Sequence, residues 1–374
     1  MAAAELLARL VTLWSFHAPL MRHPEIRSRF EATAAWAQPM DLSTVADEEA
    51  PEETPWVAFD RSVDPPRQVW KAVREATTSD FRSWPAEPAV PPGVVRVAFV
   101  GNSTTFEGYP EAAGRRFDEA LGPGRVEVVN MSLNGGSAAG CLYLAGKFLP
   151  SIRPHIAVFY FGFNEIGGYE FARREDEMAA ALAARTGGAL PSLDATELCR
   201  LYPSRGFVHV VADALGLSGL PPPCRDRFRG RDEPPLTCEG SRVCEHWDAI
   251  RDLRGLVEQA RGIGARPYLS TFAAGDYDRL PPDELDFFDT DIEYLWPPLG
   301  DTARYGRQLA ELNRRIRALA DETGTPLVDV AAGMKGGRDL FTDNCHRTRA
   351  GLELHGRIAA DALLPAVREL LGRL

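Results

Sequence analysis

Four short stretches carry side chains suited to acyl transfer. Gly101-Asn102-Ser103-Thr104-Thr105 offers a hydroxyl, and Asp343-Asn344-Cys345-His346 offers a base with an acid three residues before it. Between them, Asn130-Met131-Ser132-Leu133-Asn134-Gly135-Gly136-Ser137 and Gly162-Phe163-Asn164-Glu165 offer backbone and side-chain N–H donors. A serine hydroxyl is a weak nucleophile until a neighbouring base takes its proton. His346 is the candidate base for Ser103, and Asp343 the candidate partner that fixes the imidazole tautomer and stabilises the imidazolium. The oxyanion of a tetrahedral intermediate needs donors aimed at it, and the N–H groups of Ser103 and Gly135 with the Asn164 amide are candidates. Gly135 suits the role because glycine lets the backbone approach closely. Each residue alone has an ordinary reading: Ser103 as a helix cap, Gly135 and Asn164 as turn residues, Asp343 as a capping acid, His346 as a partly buried histidine. Ser137 is a second possible hydroxyl, and its place before a helical run assigns it to an N-cap. His355, inside a helical segment, is expected to be structural.

The argument for chemistry is where these stretches fall. Val94–Val100, Val126–Met131, Ile156–Phe161, Pro267–Phe272 and Pro326–Val330 are short apolar runs, as expected of strands buried on both faces. Helical segments lie between or after them, at Phe106–Leu121, Ala138–Phe148, His246–Arg261, Ala303–Ala320 and Ala350–Leu371. The alternation predicts an α/β fold, a parallel sheet covered by helices. In open parallel sheets ligands bind beyond the carboxyl ends of the strands. The four stretches follow the first, second, third and fifth predicted strands, so they converge on one edge.

GNST, NxSxxG, GFNE and DNCH resemble, in order, the four blocks of the SGNH (GDSL-like) hydrolases. The resemblance spans residues 94–374 apart from an insertion. It implies a flavodoxin-like three-layer α/β/α sandwich with a five-stranded parallel sheet in the order 2-1-3-4-5. It also implies that Ser103, Gly135, Asn164 and His346 are the S, G, N and H, with Asp343 completing a triad and no cofactor or metal. Two positions depart from the usual blocks: Asn102 stands where an acid is common, and Glu165 where an aspartate is. The ordinary α/β-hydrolase elbow, G-x-S-x-G, is not met, because Ser103 lacks the second glycine.

The rest of the chain bounds the setting. Its 374 residues carry 42 basic and 53 acidic side chains, a net charge of −11, which argues against a nucleic-acid partner. No stretch approaches the ~18 apolar residues of a membrane span. The first 21 residues read as an amphipathic helix, without the basic start and cleavage site of a signal peptide. A cytoplasmic location is therefore favoured, with an exported or truncated chain as the alternative. Residues 1–93 read as an extension closing on the Pro-rich connector PAEPAVPPG, and 94–374 as the hydrolase domain with an insertion at about 186–245. Cys199, Cys224, Cys238 and Cys244 cluster around that insertion. Cys224, Cys238 and Cys244 with His246 lack the paired spacing of common zinc sites, and a structural role is expected of all four cysteines. A second long loop, 275–300, is expected to carry Phe287, Phe288, Tyr294 and Trp296, with Phe287, Tyr294 and Trp296 as pocket candidates.

Three activities fit these residues. The first is hydrolysis of a carboxylic ester, an O-acetyl or short acyl group on a carbohydrate or natural product. The second is acyl transfer from the same acyl-serine to another acceptor, and the third is binding without catalysis. The expected partner is a small-molecule, glycan or lipid ester. Oligomeric state is not readable.

Overall fold

The computed structural model describes residues 22–29, 57–60, 67–70, 76–85, 87–134, 136–167, 249–296 and 299–374. They fall into two compact units. The smaller takes residues 22–29, 281–296 and 299–305, and the larger takes the rest. Among the described residues no helix is long and apolar enough to cross a membrane.

The larger unit opens with an antiparallel pair, β1 (Val57–Asp60) and β2 (Arg67–Trp70). The acidic and Pro-rich composition of residues 1–93 gave no signal for it. Five parallel strands follow: β3 (Val95–Gly101), β4 (Val126–Ser132), β5 (Ile156–Tyr160), β6 (Arg266–Ser270) and β7 (Leu327–Val328). They pair in the order β4-β3-β5-β6-β7, which is the 2-1-3-4-5 order expected. All seven residues of β3 and all five of β5 are buried, because each strand has helices on both faces and a strand on each side.

Two helices, α1 (Ser103–Phe106) and α2 (Tyr109–Leu121), stand where one was expected, parted at Gly108, whose φ is 117°. α3 (Ala138–Ile152) packs on α4 (Ala249–Gly262). The far end of α6 (Thr302–Thr323) joins that layer through Arg254–Glu322 at 2.8 Å. The last helix, α7 (Arg349–Leu371), packs on α2 and makes the other layer. This is a three-layer α/β/α sandwich.

The connector before β3 is pinned to the sheet. Arg96 sits in an otherwise apolar strand, fully buried. Its guanidinium donates to the carbonyls of Pro88 and Glu87 at 2.8 Å each and to Ile152 O, and it pairs with Glu127 at 2.7 Å. A guanidinium has five donors in a rigid fork, so one buried arginine can hold several carbonyls at once.

In the smaller unit, residues expected to form a loop are largely a helix, α5 (Pro282–Leu295). Pro282 at its first turn, with Asp283 and Glu284 beside it, is a helix-start pattern. Phe288, Ile292 and Leu295, spaced by four and three residues, are buried. The proline and aspartate density hid that period.

Candidate active site

The end of β3 can be built one way only. A Cβ on Gly101 would lie 2.1 Å from Thr105 Oγ1 and 3.0 Å from Tyr160 O, so glycine is required. Asn102 then N-caps α1, its Oδ1 accepting from Thr104 N at 3.1 Å and Thr104 Oγ1 at 2.7 Å. Asparagine and aspartate cap equally well, which accounts for Asn102 where an acid was expected. Ser103 is the first residue of α1, where backbone N–H groups have no intrahelical acceptor.

Ser103 and His346 are 243 residues apart in sequence, and His346 Nε2 is 3.0 Å from Ser103 Oγ. His346 Nδ1 is 2.9 Å from Asp343 Oδ2. The other carboxylate oxygen, Asp343 Oδ1, accepts the N–H groups of Cys345 at 2.9 Å and His346 at 2.7 Å. That fixes the turn, and Tyr277 OH donates to Asn344 Oδ1 at 2.7 Å to hold its middle. Burial pulls the His346 pKa down, but the hydrogen bond and charge of Asp343, with Glu107 behind, outweigh it and hold the imidazole above its ordinary range.

The second and third strand ends meet beside Asn102. Asn164 Nδ2 donates to Gly136 O at 2.8 Å. A Cβ on Gly136 would be 4.0 Å from the Asn102 Cβ. Gly162, before Asn164, has Phe272 where a Cβ would go, at 2.2 Å. Ser137 caps α3, accepting Gly140 N–H at 3.2 Å. Gly135 lies outside the described residues, as do Cys199, Cys224, Cys238, Cys244 and His246.

Glu107 and Arg347 escaped the sequence reading, which noted Glu165 only as a departure from the usual aspartate. Glu165 is buried, and its Oε1 accepts the Ala138 N–H at 2.8 Å. Arg347 is buried beside His346 and donates to Thr104 O and Cys345 O, both at 3.3 Å, and to Tyr160 OH. Glu107 accepts the Arg347 backbone N–H and stands 3.7 Å from its guanidinium. Burial raises the Glu107 carboxyl, against the pull of Arg347 and His346. Arg347 follows His346 directly, and nothing in its neighbours signals burial. His355 is fully buried, stacked on Tyr109 at 3.6 Å, and burial holds its pKa well below the ordinary value.

Phe287, Tyr294 and Trp296 belong to the smaller unit. The Phe287 ring is 1% exposed, edge-on to His23 at 5.4 Å and Phe288 at 5.2 Å. Tyr294 is on α5, and half-buried Trp296 closes that helix through its N–H to Ile292 O at 2.9 Å.

No protein-family model and no curated protein matches the sequence. Among solved structures 58 chains match. One is a GDSL-like lipase from Bacteroides thetaiotaomicron VPI-5482, 15% identical with a TM-score of 0.41, over 75% of this chain and 92% of that one. Another is a catalytic mutant of an acetylxylan esterase from Geobacillus stearothermophilus, 12% identical with a TM-score of 0.40, over 73% and 94%. A third is an alpha/beta hydrolase enzyme from the metagenome of Lake Arreo, Spain, 13% identical with a TM-score of 0.39, over 73% and 95%. In strand order and layering, this chain is a flavodoxin-like three-layer α/β/α sandwich.

Proposed function

We propose that the chain is a serine ester hydrolase acting through an acyl-serine intermediate, on an O-acetyl or other short acyl ester of a carbohydrate or natural product. The observation that carries this reading is the hydrogen-bonded line from Ser103 through His346 to Asp343, at 3.0 and 2.9 Å. Asp343 accepts the Nδ1 proton, which leaves the Nε2 lone pair facing the Ser103 hydroxyl. Ser103 Oγ attacks the ester carbonyl as its proton passes to Nε2, and the imidazolium formed is offset by the Asp343 carboxylate. His346 then gives that proton to the leaving alcohol. A water molecule, deprotonated by the same imidazole, releases the acid from Ser103. The oxyanion donors in this reading are the Ser103 N–H and the Asn164 amide, with Gly135 by the family resemblance. The Asn164–Gly136 bond supports it, because an amide tied by one N–H has its other held in direction.

The test is a panel of p-nitrophenyl esters from acetate to long chains, with and without an added alcohol, alongside labelling by a fluorophosphonate. Wild type is expected to turn over short esters and to be labelled at Ser103, and Ser103→Ala to do neither. Ester product formed with the alcohol, in place of free acid, would move the reading from hydrolysis to acyl transfer. Equal turnover by Ser103→Ala would remove it.

A further inference from the structure

We propose that Asp343, Cys345 and His346 bind a thiophilic divalent cation, zinc or cadmium in kind, and that the bound ion switches the Ser103–His346 pair off. The consequence rests on the ester-hydrolase reading, and the site itself does not.

One carboxylate oxygen, one thiol sulfur and one imidazole nitrogen lie within 4.8 Å of one another here. His346 Nδ1 is 2.9 Å from Asp343 Oδ2 and 3.4 Å from Cys345 Sγ. A tetrahedral zinc ion, with bonds of roughly 2.0–2.3 Å, spreads its donors about 3.3–3.6 Å apart. The Nδ1–Sγ separation falls in that range, the Nδ1–Oδ2 separation needs to open by a few tenths of an ångström, and the oxygen–sulfur separation, bounded at 4.8 Å, has to come within it. The donors come from one turn whose backbone is already fixed by two N–H bonds to Asp343 Oδ1 and by Tyr277 on Asn344. Little ordering is therefore left for the ion to impose. Asp343 and Cys345 are buried while the His346 side chain is 32% exposed, which gives a dry site with an approach from solvent. Thiolate selects zinc or cadmium over magnesium and calcium, which prefer oxygen.

Inactivation follows from the tautomer. In the resting line Nδ1 carries the proton and Nε2 accepts from Ser103. On binding, the Cys345 thiol releases its proton to solvent, the ion takes the Nδ1 lone pair, and the imidazole proton moves through solvent to Nε2. Nothing is oxidised or reduced. A protonated Nε2 then faces Ser103 Oγ and cannot accept its proton. Asp343, engaged with the ion, is withdrawn from the imidazole.

The experiment uses the full chain and two readouts. Titration with cadmium is followed by the ultraviolet thiolate-to-cadmium charge-transfer absorption, and zinc inhibition is followed on p-nitrophenyl acetate with reversal by EDTA. Cys345→Ser, with Cys345→Ala as a second replacement, is expected to keep metal-free turnover and lose part of the absorption. Either should raise the zinc concentration for half-inhibition by roughly tenfold or more. The same absorption and the same inhibition in wild type and both variants would overturn the proposal. The two ideas fail separately. Absorption dependent on Cys345 without any ester turnover removes the hydrolase reading and keeps the ion site, and turnover without that absorption does the reverse.

Discussion

Glu165 gives a prediction whose sign and size follow from its surroundings. Its side chain is 4% exposed, one oxygen accepts the Ala138 N–H, and the other has no hydrogen-bond partner among the described residues. Burial pushes its carboxyl up to about 7, against the pull of backbone N–H groups, and the buried Asp252 adds a smaller upward push. Between the ordinary value of 4.5 and about 7, the unfolded chain has lost this proton while the folded chain keeps it. Fewer protons bound in the unfolded state means that stability falls as pH rises through that window, by about 3 kcal/mol in all. Glu165→Gln removes the titration and retains an oxygen for Ala138. Its new N–H donors add an offset that does not vary with pH, so the comparison is of pH dependence and not of absolute stability. Unfolding of wild type and Glu165→Gln, followed at pH 4.5 and at pH 8, should show the variant gaining on wild type at the higher pH by that amount, several degrees in midpoint. Identical pH dependence in the two proteins would refute the reasoning, since Glu165 would then be ionised as readily inside as out.

Other outcomes test the remaining groups. Ser103→Ala should lower kcat by several orders of magnitude with an unchanged melting midpoint, since Ser103 sits at a helix start and bears no core packing. Asn164→Ala should cost ~10²–10³-fold in kcat with little change in KM if its amide serves the oxyanion, and an effect confined to KM would exclude that role. The base must be neutral, so kcat/KM should rise with pH through the His346 pKa, above the ordinary histidine range. Asp343→Asn should move that midpoint down as well as lowering kcat, and a stationary midpoint would show that another group titrates.

What the sequence disclosed depended on how locally each feature is encoded. Buried strands such as Val95–Gly101 announce themselves as apolar β-branched runs, and polar residues just after them mark the ligand edge. The antiparallel pair at Val57–Asp60 and Arg67–Trp70 has only four residues on each side, too few for a period to stand out from its acidic, Pro-rich surroundings. The α5 segment carried its start signals in the same prolines and aspartates that read as loop. Buried charge was the hardest to read. Arg96 and Glu165 look like surface residues until the fold supplies their partners, which for Arg96 include the carbonyls of residues 87–89 and for Glu165 the first amide of α3.

Arg347 shows why the partners matter as much as the reacting atoms. Its guanidinium, wholly buried, bonds to the carbonyl of Thr104 in the serine-bearing helix and to that of Cys345 in the histidine-bearing turn. Tyr160, at the end of the strand next to β3, takes a further N–H, and the Tyr160 and Phe272 rings lie 5.0 and 5.7 Å from the guanidinium carbon. A buried cation is tolerated only when paired and hydrogen-bonded, and Glu107, one turn beyond Ser103, supplies the charge. The same residue therefore ties together two segments 243 positions apart, on either side of the Ser103–His346 contact. A lysine would keep the charge but could not match this planar fork of donors. The 3.0 Å between Ser103 and His346 is thus set by a clamp that touches neither reacting atom.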